Sequence, residues 1–220
     1  MMNKSKGKMI RGLRQALMVS VSLLVICGLL FPLVLSGISA ILFPHQANGS
    51  TIEVNGEIIG AEFVGQDFTK EYFMKCRPSA YRYNTYTIDG NGNEVYNDGT
   101  EFAGLASGSN NYSATNPALA ERVEKDIQEF LDANPSIRIE DIPTDLLTAS
   151  GSGLDPHISP ASAKVQIPAI AKASGLTQEQ LQQIVDKNTT GKLFGVLGEE
   201  VTNVVKVNLD IAQAMGIINK

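Results

Sequence analysis

The longest apolar stretch of the chain covers residues 16–43 and contains no Asp, Glu, Lys or Arg. A bilayer core is ~30 Å thick and an α-helix rises ~1.5 Å per residue, so about 20 residues are enough to cross it. The pattern predicts one transmembrane helix over residues 16–43, kinked rather than broken at Pro32. A cleaved signal peptide is the alternative, with Gly37-Ile38-Ser39 as its small-residue site, but the apolar region of such peptides is roughly 7–15 residues long.

Beyond this stretch, the pattern of apolar and turn-forming residues predicts a single mixed domain over residues 44–220. Residues 52–59 predict a short hairpin, because Asn55-Gly56 suits a two-residue turn in which both φ angles are positive. Residues 77–114 are rich in Tyr, Gly and Asn, and their centre, residues 89–99, has almost nothing to bury. This region is predicted to be a long exposed loop.

Two helices are predicted from their start signals. Asn116-Pro117 is typical of an N-cap followed by the first helical position, and apolar residues then recur at helical spacing until Asn134. Ser159-Pro160 gives the same signal, and that helix is predicted to end near Gly175 and to bend at Pro168.

The C-terminal part predicts a third helix and a strand. Thr177 and Gln180 form a capping box, which is typical of a helix start. Residues 201–209 alternate between two faces, which predicts a strand, followed by a short terminal helix. The fold class predicted for the whole chain is therefore α+β, with one transmembrane helix ahead of one soluble domain.

The charges predict which side of the membrane each part occupies. Five basic residues and no acidic one precede the apolar stretch: Lys4, Lys6, Lys8, Arg11 and Arg14. Lys and Arg beside a membrane span stay in the cytoplasm. We therefore expect a single-pass plasma-membrane protein with residues 1–15 cytoplasmic and residues 44–220 extracytoplasmic. That outer domain holds 13 basic and 23 acidic residues, a net charge of −10, which argues against nucleic acid or anionic lipid as a partner.

The most distinctive chemistry lies in residues 147–160, with the sequence LTASGSGLDPHISP. Small residues that could present backbone N–H groups to an anion or nucleotide come first: Ser150, Gly151, Ser152 and Gly153. Asp155 and His157 follow, close enough to share a proton. Three interpretations stay open, namely a structured turn or subunit interface, an anion site, and catalysis.

Other candidate chemistry is sparse. Arg77 could hold a carboxylate or phosphate in a bidentate fork, or it could pin its own loop to the fold. No G-x-x-x-x-G-K-[ST], G-x-S-x-G or H-E-x-x-H pattern occurs in the sequence. The sequence has two histidines, His45 and His157, and no further ligands that would complete a site, so no metal site is predicted.

Several segments together resemble the C subunit of the Kdp potassium-transporting ATPase of bacteria and archaea. They run nearly end to end: Gln46-Ala-Asn-Gly-Ser50, Val64-Gly-Gln-Asp-Phe68, Arg77-Pro-Ser-Ala80, Ser107-Gly-Ser-Asn110, Asn116-Pro117, residues 147–160, Gln166-Ile-Pro168 and residues 201–209. The chain departs from the family at Ala169, where a basic residue is usual, and in residues 81–104, which are longer and richer in tyrosine. Four residues in the shared segments are interface candidates: Gln66, Arg77, Asn116 and Gln166.

The resemblance implies an accessory subunit without a catalytic site of its own. Its implied partners are a channel-like potassium-binding subunit, a P-type ATPase subunit that hydrolyses ATP, and a small single-helix subunit. It also implies a catalytic chaperone that raises the affinity of the pump subunit for ATP, while the complex handles potassium. An extracytoplasmic domain could not contact cytosolic ATP directly, so this role conflicts with the predicted topology. The alternative function is an independent membrane-anchored extracytoplasmic binding protein or hydrolase.

Overall fold

A computed structural model describes residues 2–218, with the backbone alone for residues 2–8. The chain divides into two compact units, with the boundary between Ser50 and Thr51. The first unit is helical, and the second is a mixed domain of short strands and helices. The predicted α+β class, with one apolar helix ahead of one soluble domain, is confirmed.

The first unit consists of helix α1 (Met2–Val25), a π-helical turn (Ile26–Leu30), helix α2 (Phe31–Leu42) and the short helix α3 (Pro44–Ala47). Its segment Met9–Leu42 is the one helix in the described part of the chain that is long and apolar enough to cross a membrane. The helix starts well before the predicted residue 16, because Met, Lys, Arg, Leu and Gln in residues 2–15 are good helix formers.

The structure accommodates Pro32 through the π-helical turn just before it. In this turn the backbone N–H of Phe31 donates to the carbonyl of Ile26, five residues earlier. Proline has no N–H to donate, and a π-turn changes the pairing of the neighbouring carbonyls. The helix therefore continues through Pro32, as the sequence predicted.

The second unit contains seven short strands among its described residues. Strands β1 (Thr51–Val54) and β2 (Glu57–Ala61) form the predicted hairpin, and φ is positive at both Asn55 and Gly56. Three further strands form a sheet with β7 in the centre: β5 (His157–Ile158), β6 (Thr189–Thr190) and β7 (Val201–Asn203). Every strand pair in these sheets is antiparallel.

The prediction of one long exposed loop over residues 77–114 is wrong in its centre. That region contains strands β3 (Tyr86–Ile88) and β4 (Glu94–Tyr96), which pair as a hairpin. Stacking explains the strands, since the ring of Tyr86 lies 4.6 Å from that of Phe102 and the Tyr96 ring meets Phe102 edge-on at 5.3 Å. The tyrosines therefore supply an aromatic cluster that the Gly and Asn content concealed.

The three predicted helix starts are confirmed. Helix α4 (Pro117–Ala133) is capped by Asn116, α5 (Pro160–Ser174) by Ser159, and α6 (Gln178–Lys187) by the reciprocal capping box of Thr177 and Gln180. Helix α5 ends at Gly175, whose φ of 76° is left-handed, and contains Pro168. Two 3₁₀ turns, Ile139–Asp141 and Thr144–Leu146, connect α4 to the following segment.

The predicted strand over residues 201–209 ends at Asn203, and the rest of that segment is helical. Helix α7 (Val204–Ala214) starts there because the Asn203 side chain accepts a hydrogen bond from the backbone N–H of Lys206 at 3.0 Å. Val204, Val207 and Ile211 are fully buried, and their spacing of three and four residues is helical. The alternation was misleading because the apolar residues of this run fit the two-residue period of a strand as well as the 3.6-residue period of a helix.

The core lies between α5, α6 and α7. Its buried members are Met74, Ile158, Ala163, Ile167, Ile170, Leu181, Val185, Val204, Val207 and Ile211. Each fully buried large aliphatic side chain stabilises the fold by roughly 1.5–3 kcal/mol. This packing holds the C-terminal end of the 147–160 segment, since β5 and the start of α5 both border the core.

Candidate functional site

The loop of residues 150–157 is bonded to the rest of the domain through its own backbone. Its carbonyls accept hydrogen bonds from three remote segments: the Ser79 hydroxyl donates to Gly153 at 2.6 Å, the Gly108 N–H to Ser152 at 2.6 Å, and the Gly65 N–H to Leu154 at 2.9 Å. All three anchors lie outside the loop in sequence. The loop is therefore a junction between distant parts of the domain.

Its serine hydroxyls accept hydrogen bonds from the loop's own backbone. Ser150 is buried, and its Oγ accepts a hydrogen bond from the N–H of Gly153 at 2.9 Å. The Oγ of Ser152 accepts from the N–H of Leu154 at 3.2 Å. An anion site needs backbone N–H groups that are open to a ligand. The N–H of Gly153, which was proposed for that purpose, and the N–H of the neighbouring Leu154 are already bonded to the loop's own side chains.

Gly153 has no room for a side chain. Its φ is 66°, a left-handed value that favours glycine, and a Cβ built there would lie 2.1 Å from the carbonyl oxygen of Gly108. The close approach explains why glycine is needed at this position of the segment. By contrast, a Cβ at Gly151 would meet nothing within 4 Å.

Arg77 pins the start of this loop to the fold. Its Nε donates to the carbonyl oxygen of Thr148 at 3.0 Å, its Nη2 to that of Ala149 at 3.3 Å, and its Nη1 lies 3.9 Å from the Asp155 carboxylate. Of the two interpretations of Arg77 left open by the sequence, this geometry favours the pin. The fork that could have held a ligand is filled by protein oxygens.

Asp155 and His157 are brought together as predicted. The Asp155 Oδ1 accepts from the backbone N–H of His157 at 3.1 Å and lies 2.8 Å from its Nδ1. The hydrogen bond from His157 holds the pKa of Asp155 below its usual value, and burial opposes that shift only in part. The other ring nitrogen, Nε2, lies 3.5 Å from the Asn203 amide. The histidine is thus held between the loop and the start of α7.

Tyr83 also packs at this junction, beside Arg77 and Gly65. Its hydroxyl donates to the carbonyl of Arg77 at 2.8 Å, and its buried ring lies where a Cβ at Gly65 would come within 2.4 Å. Its φ of 57° is uncommon for an aromatic residue. Burial raises the pKa of the phenol. We call residues 150–157, with these contacts, the clamped loop.

The three other interface candidates make internal contacts. The Gln66 amide donates to the carbonyl of Ile59 at 2.8 Å, and Asn116 caps α4 by accepting from the N–H of Ala118 at 3.0 Å. Gln166 is 3% exposed and is bonded to both backbone groups of Lys75, at 2.8 and 3.3 Å. A contact of Gln66, Arg77, Asn116 or Gln166 with a partner subunit stays a prediction.

Sequence reasoning missed a second amide that works in the same way as Gln166. Asn208 on α7 accepts from the backbone N–H of Met74 at 2.7 Å and donates to its carbonyl at 2.8 Å. Gln166 and Asn208 therefore bond both backbone groups of two consecutive residues, Lys75 and Met74. The available signal was an asparagine inside the apolar run of α7, because a buried amide must be hydrogen-bonded.

Asp145 was also missed, and it joins the 3₁₀ turn ahead of the clamped loop to the start of α5. Its carboxylate accepts from the N–H of Ser159 at 2.7 Å and from the hydroxyls of Ser159 and Ser162 at 3.1 and 2.5 Å. Burial acts to raise the pKa of Asp145, but these hydrogen bonds outweigh it and hold the pKa below its usual value. The Asp145 carboxylate therefore fixes the start of α5, the helix that follows the loop.

A cleft of about 910 Å³ is bordered by Thr148 and Ala149, the two residues just before the loop. Its charged side chains come in neighbouring pairs, with Arg82 beside Asp98 at 2.5 Å and Arg122 beside Asp126. Because positive and negative groups alternate, the cleft has no excess of cations for a polyphosphate. Within residues 9–218, no group of three or more His, Cys, Asp and Glu side chains is placed to hold a metal ion.

Comparison with known proteins covers both units of the chain. It is 58% identical to the potassium-transporting ATPase KdpC subunit of Clostridioides difficile (strain 630), over 94% of this chain and 99% of that protein. Identity is 56% with the subunit of the same name from Clostridium kluyveri, over 96% and 97% of the two chains. It is 41% with that of Caldanaerobacter subterraneus subsp. tengcongensis, over 86% and 89%. The family model described as "K+-transporting ATPase, c chain" matches residues 13–213, so the chain belongs to the KdpC family.

Proposed function

We propose that this chain is a non-catalytic accessory subunit of a potassium-transporting ATPase complex, held in the membrane by the helix over Met9–Leu42. The observation that carries the proposal is the family match, which extends over residues 13–213 and so covers the helix as well as the domain. The relatives are named as subunits of a potassium-transporting ATPase. The partners would be a channel-like potassium-binding subunit, a P-type ATPase subunit and a small single-helix subunit.

The geometry of the clamped loop supports a structural rather than a chemical role for the most distinctive motif. Among the described residues, the hydrogen-bond partners of the His157 ring are Asp155 and Asn203, and neither has a hydroxyl or thiol that the histidine could activate as a nucleophile. The guanidinium of Arg77 is occupied by backbone oxygens. A loop fixed in this way suits a rigid scaffold that presents other surfaces to partner subunits.

Deleting the chain tests the main proposal. Cells that keep the other subunits but lack this chain should lose ATP-driven potassium uptake at low external potassium, and the full-length chain should restore it. Uptake that persists without the chain would contradict the proposal. If the chain purifies in mild detergent as a lone monomer, without large membrane subunits, an independent binding protein or hydrolase becomes the better hypothesis.

The proposed orientation places residues 44–220 on the outer side of the membrane. It rests on the five basic residues ahead of the helix and the net charge of −10 beyond it. In right-side-out vesicles, external protease should digest the domain while an N-terminal tag stays intact. Protection of the domain there, with digestion in inverted vesicles, would reverse the orientation.

We infer that any effect on the ATP affinity of the pump subunit is transmitted through subunit contacts. Two facts favour this indirect route: the N–H groups of Gly153 and Leu154 in the clamped loop are bonded internally, and the nearby cleft carries charges of both signs. The assembled complex should therefore show a lower KM for ATP with the chain than without it. The full chain alone in mild detergent should show no saturable ATP binding at millimolar ATP, and saturable binding would overturn the indirect route.

A further inference from the structure

The connection between β6 and β7 is an exposed hairpin with four large apolar side chains at its end. Leu193, Phe194, Val196 and Leu197, which we call the apolar tip, are between 59% and 86% exposed. The end of the hairpin is closed by Leu193 and Leu197, which exchange backbone hydrogen bonds at 2.8 and 3.0 Å. Apolar side chains clustered at one exposed turn are typical of interaction sites, whereas single exposed ones are ordinary.

The turn at the apolar tip has an unfavourable residue for its backbone. Its central residues Phe194 and Gly195 have φ of 54° and 76°, and those of the β1–β2 turn, Asn55 and Gly56, have φ of 54° and 85°. Asn-Gly is the favoured pair for a hairpin turn with two positive φ angles. A positive φ is unfavourable for phenylalanine, because its Cβ crowds the backbone, and Phe194 gains no burial in return, since it is 86% exposed.

Charges near the apolar tip restrict what can cover it. Glu199 and Glu200 follow the tip, are exposed, and have no ion-pair partner within the described part of the chain. Together with the domain's net charge of −10, they oppose contact with an anionic lipid surface, because like charges repel. Two copies of the chain meeting tip to tip would bring the acidic pairs together.

A protein surface with an apolar recess and a basic rim satisfies both features. A rigid aromatic anchor in an apolar pocket is the usual centre of a protein–protein contact, surrounded by a polar rim. The apolar tip would provide Phe194 as the anchor, and Glu199 and Glu200 would face the rim.

We propose that the apolar tip is a docking plug that inserts into an apolar, basic-rimmed recess on another membrane subunit of the complex. This inference rests on the proposed function, because it takes its partner from the same ATPase complex. The strained turn then has a physical reason, since the free energy lost at Phe194 is recovered when its side chain is buried against the partner.

Co-purification of the full chain with the other subunits tests the docking plug. The chain is co-expressed with them, the complex is captured by a tag on a different subunit, and the amount of this chain retained is measured. Phe194→Asn keeps the backbone preference of the turn and removes the anchor, so the retained fraction should fall at least about tenfold. Leu105→Ser, at another highly exposed leucine, should leave the retained fraction unchanged.

The charge part of the proposal has its own variant. Changing both Glu199→Lys and Glu200→Lys should weaken retention severalfold, most strongly at low salt.

The outcomes separate the two proposals. If the wild-type chain does not co-purify, the accessory-subunit function fails. If the wild type is retained and Phe194→Asn is retained equally well, the docking plug is overturned while the function stands.

A third measurement tests whether lipid covers the tip. The chain has no tryptophan, so Phe194→Trp gives a single tryptophan fluorophore at the tip. In nanodiscs without partner subunits its emission should be unaffected by brominated lipids. Quenching would overturn the docking plug in favour of membrane insertion.

Discussion

The clamped loop and the apolar tip reverse what their compositions suggest. The clamped loop is rich in Ser, Gly, Asp and His, the residues of many ligand sites, yet its described contacts tie it to its own domain. The apolar tip has the composition of a core segment, yet its large side chains are exposed. The difference shows that composition alone does not separate binding from support. A supporting segment has its hydrogen-bonding groups paired within its own domain, whereas a candidate binding segment leaves its apolar groups uncovered.

Gly153→Ala should produce the largest loss of stability, because it attacks the closest contact of the clamped loop. The new Cβ would lie 2.1 Å from a backbone oxygen at a φ of 66°, which should lower the free energy of unfolding by roughly 2–4 kcal/mol. In thermal unfolding of the full chain in mild detergent, Tm should fall by about 5–10 °C. Gly151→Ala is the matched control, and equal shifts in the two variants would refute the tight junction at Gly153.

Arg77→Met should have the next largest effect. It removes hydrogen bonds from a charged donor to Thr148 and Ala149 and leaves their carbonyls without these partners, so we expect a loss of about 2 kcal/mol. Arg77→Lys keeps the charge without the planar fork and should recover only part of that loss. If Arg77 served mainly a ligand, both variants would unfold like the wild type.

The contribution of Asp155 should depend on pH. Its pKa is lower in the folded than in the unfolded chain, chiefly through the hydrogen bond from His157. The carboxylate therefore stabilises the fold above the unfolded pKa, and this stability is lost as the pH falls through the folded pKa. Asp155→Asn should be less stable than the wild type at about pH 7, and the gap should narrow near pH 3. A gap that does not depend on pH would mean that the charge contributes nothing.

The smallest effects on stability are expected at the apolar tip. Phe194→Asn should leave the stability of the isolated chain unchanged or raise it by up to about 1 kcal/mol, because asparagine tolerates a positive φ. The reciprocal change, Asn55→Phe, should cost about 1 kcal/mol in the β1–β2 turn, where the first central residue has the same φ of 54°. A marked loss of stability in Phe194→Asn would show that the tip supports the fold, and the contrast with the clamped loop would then disappear.

Sequence reasoning was most accurate where the signal is local. The caps at Asn116, Ser159 and Thr177 and the Asn55-Gly56 turn depend on residues a few positions apart, and the structure has all of them. The strand expected over residues 201–209 was wrong after Asn203, because its apolar pattern fits two periods and burial against α5 and α6 decides between them.

The sequence predicted which residues form the candidate site but not which role they have. The sequence indicated the Asp155–His157 pair and the importance of Arg77. It could not show that Ser79, Gly108 and Gly65 would fill the loop's hydrogen bonds, because those contacts join segments separated by tens of residues. Nor could it show that an apolar hairpin between β6 and β7 would remain uncovered.

The π-helical turn at Ile26–Leu30 changes which residues of the membrane-length helix share a face. An α-helix advances about 100° per residue, and a π-turn contains one additional residue. Side chains after Leu30 are therefore rotated by roughly 100° from the positions that an unbroken α-helix would give them. A tryptophan scan along residues 9–42 should follow one helical phase up to Val25 and a shifted phase from Phe31 onward. A neighbouring helix that lies along this one would therefore contact one set of helical positions before the π-turn and a rotated set after it.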